Sequence, residues 1–287
     1  MTDCLYRFKR YFKNLKFVTY LRFSRYSWIP RYNNNKARCC VVQFIDGATY
    51  HGGMSDRIRS IISVYALSKA IGMDYKLYYT SPFNMEQYLL PNITNWHIDK
   101  ETISFNVWDT QLFFVKRYLY RRLPILLKKQ VHIYAHCDVL DQINKLYHTN
   151  YSFTNLFNEL FIPNTRILNK MDEYMALLGG RYDAIVFRFQ NSLGDFFEGN
   201  FKKVDRSNKC RLIHKCLDYL TSFCSARLSS KVLLTSDSHM FLDLAKEAIG
   251  NLFVIPGELV HMQYCEMHTN YELHEKPFLD FYMLTYY

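Results

Sequence analysis

Short apolar runs and segments of helical period alternate along most of this chain. Arg38 to Asp46 is a compact run rich in Val, Phe and Ile and reads as a buried strand. After a Gly-rich turn, Ser55 to Ile71 places Ile58, Ile61, Ile62 and Tyr65 at a 3.6-residue period, and Gly72 offers a stop. Tyr75 to Tyr79 reads as a second strand, and residues 81 to 110, with Pro82 and Pro91, as irregular. Gln111 to Leu127 reads as a helix interrupted at Pro124, and Val131 to Ala135 as a strand. Residues 151 to 178 read as one or two helices broken near Pro163.

A second set follows the break. Asp183 to Phe189 is predicted as a buried strand, Lys209 to Arg227 as a helix and Lys231 to Thr235 as a strand. His239 to Ala248 is predicted helical, Leu252 to Ile255 a strand, and His274 to Tyr287 a closing helix. Strands separated by helices call for parallel sheets covered on both faces. The predicted fold class is therefore α/β, with two Rossmann-like halves facing a cleft and an N-terminal helical arm. The expected domains are an arm at 1–36, a first half at 37–165 and a second at 166–287. In such folds ligands gather beyond the carboxyl ends of the strands.

Charge changes the picture at one end only. The chain carries a net +10, a value that by itself suggests a nucleic-acid partner. Residues 1–40 hold ten Lys or Arg and one acid, Asp3, so they carry +9 and the rest is nearly neutral. Nucleic acid is thus disfavoured as a partner of the body. The arm also holds Tyr6, Phe8, Tyr11, Phe12, Phe17, Tyr20, Phe23, Tyr26, Trp28 and Tyr32. Aromatic and basic residues favour an anionic membrane surface, each basic residue contributing about 1 kcal/mol near it. Residues 4–27 are read as an interfacial helix on such a surface. A helix packed on the body and a nucleic-acid arm are the alternatives.

No run of about 18 apolar residues exists, so no membrane-spanning helix is expected. The start has no apolar stretch of the kind a cleaved secretion signal carries. The eight cysteines form no CxxC pair and are read as reduced core thiols of a cytoplasmic protein.

Candidate chemistry sits at the predicted strand ends. After the first strand come His51-Gly52-Gly53-Met54-Ser55-Asp56-Arg57. A glycine pair lets backbone approach a ligand, and the following helix start offers free N–H groups. Arg57 and Arg59 in its first turn oppose the helix dipole, which an anion in front would offset. The alternative is a solvated start capped by Ser55 or Asp56. Arg188, read as lying within a buried strand, needs an anionic partner, with Asp195 as a structural candidate and a diphosphate as a functional one. Thr235-Ser236-Asp237-Ser238 could bind ribose, a base edge or phosphate, or cap the next helix; His261 follows the next strand end. Walker A, GxGxxG, HExxH and Asp-x-Asp spacings are absent, so no metal site is indicated.

His51 to Ala70 resembles the first motif of the GDP-fucose-dependent fucosyltransferases: a glycine pair, Asn and Arg, then a helix of the form RxxSxxxAxAxA. Ala184 to Asp195 stands where that family has a strand ending in His-x-Arg-Arg-x-Asp, and Thr235 to Ser238 matches a later strand-end motif. Lys276 to Leu284 is similar to the family's last helix. The resemblance implies a GT-B fold and inverting transfer of fucose from a nucleotide-sugar donor, GDP-fucose, to a glycan or lipid-linked glycan, without a metal or other cofactor. The half at 37–165 would face the acceptor and that at 166–287 would bind the donor. His51, Gly52, Gly53, Arg57, Arg188, Thr235, Ser236, Asp237 and Ser238 would line the donor site. Arg188 would hold the β-phosphate, and Asp56 or Asp195 would act as base. Phe187 and Phe189 stand where the motif has His and a second Arg, and Asp56 replaces Asn. A non-catalytic sugar-nucleotide or glycan binder is the alternative. Polysaccharide biosynthesis at the cytoplasmic face of the inner membrane is the expected setting.

Overall fold

The computed structural model describes residues 16–29, 39–115, 118–119, 121–125, 129–196, 205–227, 231–262 and 271–285. The chain divides into two compact units, Met1–Ile162 with Met262–His268 and Pro163–His261 with Thr269–Tyr287.

The first unit is built on a four-stranded parallel sheet. Its strands are β1 (Cys40–Ile45), β2 (Asp74–Tyr79), β4 (Thr110–Val115) and β5 (Gln130–Ala135), in the order β2-β1-β5-β4. A short β3 (Leu89–Pro91) pairs separately with β6 (Phe161–Pro163). The central strands β1 and β5 are buried at every position, as apolar runs covered on both faces must be.

Alternation along β1 sorts its side chains between two helices. Cys40, Val42 and Phe44 join a cluster with Leu21 and Tyr26, contributed by helix α1 (residues 16–25) and the segment after it. Gln43 points the other way, to helix α2 (Met54–Ala70), where its amide donates to Ser60 Oγ at 3.2 Å and accepts from Tyr75 Oη at 2.8 Å. Ile58, Ile61, Ile62, Tyr65 and Leu67 of α2 supply the apolar cover. Helices α3 (Leu140–Tyr147) and α4 (Phe153–Leu160) complete the unit.

The second unit holds a parallel sheet in the order β7 (Asp183–Phe187), β8 (Val232–Ser236), β9 (Leu252–Phe253). Leu220 and Cys224 of α6 (Arg206–Ser225) pack with Phe241, Leu242 and Ala245 of α7 (His239–Ala248) on Val232 and Leu234. Helices α5 (Thr165–Leu178) and α8 (Glu275–Thr285) meet through Arg166, whose Nε lies 2.7 Å from Glu275 Oε1, and through Lys170 on the same carboxylate. Asn164, Asp205 and Ser238 cap α5, α6 and α7 with side-chain oxygens.

The α/β class with parallel sheets follows the sequence pattern; four particulars do not. Residues 110–115 are strand β4, not the start of a helix, because Leu112 and Phe114 pair beside β5 and pack under α1. Sheet pairing outweighs a period that six residues carry weakly. Helix α3 was not expected at all. Strand β7 stops at Phe187 and leaves Asp183, Ala184 and Val186 exposed, since among the described residues it pairs with β8 alone. Among the described cysteines, Cys40 and Cys224 are buried; Cys39 and Cys210 are exposed, and Cys137 and Cys216 lie between.

The basic arm also differs from the expected interfacial helix where it is described; residues 1–15 and 30–38 lie outside the described part. Phe17 packs against Phe114 with tilted rings 4.6 Å apart between centroids, and Leu21 and Tyr26 are core residues. Arg25 reaches Asp46 at 2.5 Å and Tyr134 Oη at 2.6 Å. These contacts make α1 the cover of one sheet face, with the sheet rather than a membrane burying its inner side. No helix among the described residues is long and apolar enough to cross a membrane.

Beneath α1, Tyr26 Oη lies 2.6 Å from His132 Nδ1, and His132 Nε2 lies 3.0 Å from Gln130 Oε1. The glutamine oxygen accepts, so Nε2 carries the proton and Nδ1 accepts from the tyrosine. Tyr26→Phe removes that donor and leaves a buried acceptor unpaired. A loss of about 1–3 kcal/mol in the unfolding free energy, measured in urea, is expected. Burial also pushes His132 down to about 3. The unfolded chain therefore binds more protons than the folded one below the ordinary histidine range. Stability should be fully present above pH ~6.5 and fall below it by up to about 1.4 kcal/mol per pH unit from this residue. Urea titrations from pH 7 to 4, compared with His132→Gln, check the sign.

Candidate functional site

Both sheets are parallel, so each unit gathers loops at the carboxyl ends of its strands. In the first unit, β1 runs into Asp46, whose side chain is 3% exposed and accepts from Arg25 and, at 3.2 Å, from Tyr134 Oη. The same carboxylate accepts from Ala48 N at 3.1 Å and fixes the turn that leads to Gly52 and Gly53.

Gly52 has φ +76°, and a Cβ there would lie 2.5 Å from Asp56 Oδ2. Both facts demand glycine. Gly53 is the N-cap of α2 and gives that helix no side-chain cap. The alternative in which Ser55 or Asp56 caps the start is therefore not what the structure holds; both lie beyond the cap, exposed, in the first turn. His51 is 2% exposed, and burial together with nearby Arg57 pushes it down to about 3, so its ring is neutral near pH 7.

Arg57 is 3% exposed. Its guanidinium donates to Gly52 O at 3.0 Å, Ser81 O at 2.6 Å, Tyr79 Oη at 3.4 Å and Met262 O at 3.4 Å. Carbonyl and phenol dipoles solvate the charge, and the ion pairs among the described residues do not include it. This residue braces the β1–α2 turn against the end of β2 and adds positive charge behind the uncapped helix start. Arg59, in contrast, is exposed.

In the second unit, Asp237 follows β8 and is 8% exposed. Its carboxylate accepts Phe189 N at 2.7 Å, Gln190 N at 2.8 Å and Arg188 Nη1 at 2.6 Å. Arg188 stands one residue beyond β7 with 48% of its side chain exposed, so it is not the buried strand charge that the pattern implied. Its carboxylate partner is Asp237; the expected Asp195 instead accepts His239 N at 2.9 Å and faces His239 Nδ1 at 2.6 Å. Asp195 N donates to Asp237 O at 2.9 Å, which ties the two acids through the backbone.

Ser238 is fully buried, and its hydroxyl caps α7 by accepting from Phe241 N at 3.4 Å. Ser236 Oγ accepts Ser238 N at 3.3 Å. Thr235 hydrogen-bonds the carboxylate of Asp280, a group that burial holds above its ordinary range. Lys276 Nζ joins that carboxylate at 3.2 Å and donates to Ile255 O at 2.8 Å. Thr235, Ser236 and Ser238 thus serve the strand end itself, as capping would have it, and Arg188 carries the exposed charge. His261 lies beside Phe196, with ring centroids 5.5 Å apart.

Three contributors were missed in the sequence. His239 pairs with Asp195, Lys276 pairs with Asp280, and Gly194 permits the 188–195 turn. A Cβ on Gly194 would meet Gln190 O at 2.4 Å and Asp237 Oδ2 at 2.8 Å. The i,i+4 spacing of Lys276 and Asp280 was the available signal for that pair. Among the described residues no cluster of His, Cys, Asp and Glu could hold a metal ion. Asp237→Asn keeps the shape but sets an amide against two backbone donors and a guanidinium. We expect it to lower the unfolding free energy by about 1.5–3 kcal/mol, measured by urea denaturation at pH 7.

No protein-family model matches the chain, and no characterised protein matches it in sequence. Among solved structures, the fucosyltransferase NodZ from Bradyrhizobium aligns with 86% of this chain and 85% of its own, with a TM-score of 0.50 and 11% identity. An α-1,6-fucosyltransferase NodZ co-crystallized with GDP aligns over 86% and 84%, with a TM-score of 0.50 and 12% identity. FUT1 of Arabidopsis thaliana in complex with GDP covers 88% of this chain and 64% of that one at a TM-score of 0.46 and 12% identity. Identity this low speaks for architecture only. The chain has an α/β fold like that of the NodZ fucosyltransferases, the fold class that its motifs implied.

Proposed function

We propose that this protein is a glycosyltransferase that moves fucose from GDP-fucose to a glycan or lipid-linked glycan with inversion at the anomeric carbon. The observation that carries the proposal is Arg188: a guanidinium at the carboxyl end of a parallel strand, half in solvent, held by a buried carboxylate that also fixes its loop. The likeness to NodZ structures, one of them co-crystallized with GDP, supports a nucleotide diphosphate as the ligand. The half at 166–287 is then the donor domain and that at 37–165 the acceptor domain.

In this reading the acceptor oxygen attacks C1 of fucose as the bond to the β-phosphate breaks. Charge grows on the departing GDP, and Arg188 meets it. Arg57 and the uncapped α2 start, behind His51, Gly52 and Gly53, give the first unit a positive strand end of its own. The acceptor proton passes to a carboxylate. Asp56 is the better base, since Asp195 already accepts two hydrogen bonds from His239. Thr235, Ser236, Asp237 and Ser238 shape the nucleoside end chiefly through the strand end that they hold. The transfer needs no metal, so EDTA should leave it intact. The setting is polysaccharide assembly on the cytoplasmic side of a membrane.

A second reading has an observation of its own. Phe187 and Phe189 stack on each other at 5.8 Å and both meet Phe241 at 4.9 Å, where the family motif has His and Arg. A chain that trades those groups for core packing fits a binder that has lost catalysis. Thermal shifts with GDP, UDP, CMP and a short RNA test the nucleotide, and product analysis with GDP-fucose separates enzyme from binder. GDP alone should stabilise the fold. Arg188→Ala should lower kcat/KM for GDP-fucose by about a hundredfold or more, equivalent to about 2.7–4 kcal/mol of transition-state stabilisation. Wild-type turnover by a folded Arg188→Ala protein would overturn the assignment.

A further inference from the structure

The inner face of α1 is spent on the sheet, but its outer face is not. Tyr20 is 67% exposed, Phe23 71%, Trp28 49% and Ile29 72%. Trp108, from a neighbouring segment, is 63% exposed. These side chains are mounted on a fixed base. Phe23 and Trp28 stack at 5.2 Å, and Trp108 Nε1 donates to Trp28 O at 3.0 Å. Ser27 N donates to Phe105 O at 2.8 Å, and Asn106 Nδ2 to Ile29 O at 2.9 Å. Two of the three tryptophans of the chain thus sit in one exposed platform; the third, Trp96, is buried.

Charge selects what covers it. Residues 1–40 hold ten basic residues against Asp3, and Lys16 and Arg22 lie on α1 itself. The acid beside Trp108, Asp109, is turned to Ser104 and Lys129. A second copy of the chain would bring +9 against +9. A nucleic-acid base needs an open ring face, and the Phe23–Trp28 stack already uses one. Exposed Ile29 offers such a base nothing. Trp, Tyr, Phe and Ile bordered by Lys and Arg suit the boundary between acyl chains and anionic head groups.

We propose that Tyr20, Phe23, Trp28, Ile29 and Trp108 form a docking platform for an anionic lipid bilayer, with Lys16 and Arg22 of the same helix supplying the electrostatic half of the attachment. The proposal rests on the acceptor side of the reading above, since a lipid-linked glycan is met at such a surface. The aromatic side chains enter the head-group layer while α1 stays packed on its sheet.

The full chain should co-sediment with vesicles containing phosphatidylglycerol and far less with phosphatidylcholine alone. Its tryptophan emission should shift to the blue on binding. Phe23→Ser/Ile29→Ser alters two side chains that are mostly in solvent, and thermal unfolding reports whether its fold is kept. Partition of this variant onto anionic vesicles should fall by at least about tenfold, the loss expected when two large apolar groups no longer enter lipid. Its thermal shift with GDP should match wild type. Equal partition by a folded double variant would overturn the platform, as would an unshifted emission on bound vesicles. Concentration-dependent dimerisation without vesicle binding, or protection of the tryptophans by short RNA instead of lipid, would overturn it as well. Failure of GDP to bind either protein would remove the donor reading and leave the vesicle result standing.

Discussion

A single buried carboxylate organises the strand ends of the second unit. Asp237 receives two backbone N–H groups and a guanidinium, three donors that would otherwise pull the chain after β7 into different conformations. Hydrogen bonds to a charged acceptor are worth roughly twice those between neutral groups. The turn can close only because Gly194 has no side chain to strike Asp237 and Gln190. The backbone of Asp195 then binds the backbone of Asp237, and its carboxylate takes up the start of α7 through His239. The orientation of Arg188 follows from this chain of contacts.

The parallel architecture could be read from the chain because its central strands are predominantly apolar runs. Val41 to Ile45 and Val131 to Ala135 carry one polar residue each, Gln43 and His132, too few to make a polar face like that of a surface strand, and α2 repeats Ile and Tyr at one period. The N-cap of α7 was legible for a local reason: Ser238 bonds the backbone three residues on. Strand β4 was not legible. Its Leu112 and Phe114 acquire meaning only from β5 beside them and Phe17 above, and neither neighbour is local in sequence. At the site, sequence picked out Arg188, Asp195 and Asp237 but not their pairing. Arg188 meets Asp237 rather than Asp195 because the end of β8 lies beside the end of β7, a relation set by sheet register over 49 residues of separation.

The arm shows how one helix can read two ways. Its aromatics recur often enough to face any direction, so periodicity could not separate a membrane helix from a packed one. Packing divides them by depth. Phe17, Leu21 and Tyr26 go inward, and Arg25 follows them to a nearly buried Asp46. Tyr20, Phe23 and Trp28 remain outside. A helix fixed on its inner side presents its outer side at little further entropic cost, because the backbone is already ordered.

Arg57 and Arg188 set two roles of one residue type side by side. Arg57 gives its donors to two neighbouring carbonyls, a phenol and Met262 O, under near-complete burial. What it can still offer a ligand is field, undiminished by a carboxylate and little screened by water. Arg188 is half in water and bound to a carboxylate, so its field is largely balanced and screened. What it offers is a directed fork of N–H groups at a place where an anion can reach them. Each service suits an anion at its own strand end. Long-range potential lowers the energy of accumulating charge, and short-range donors locate that charge on particular oxygens. Exchanging the two environments would lose both: an exposed Arg57 would be screened, and a buried Arg188 would be out of reach.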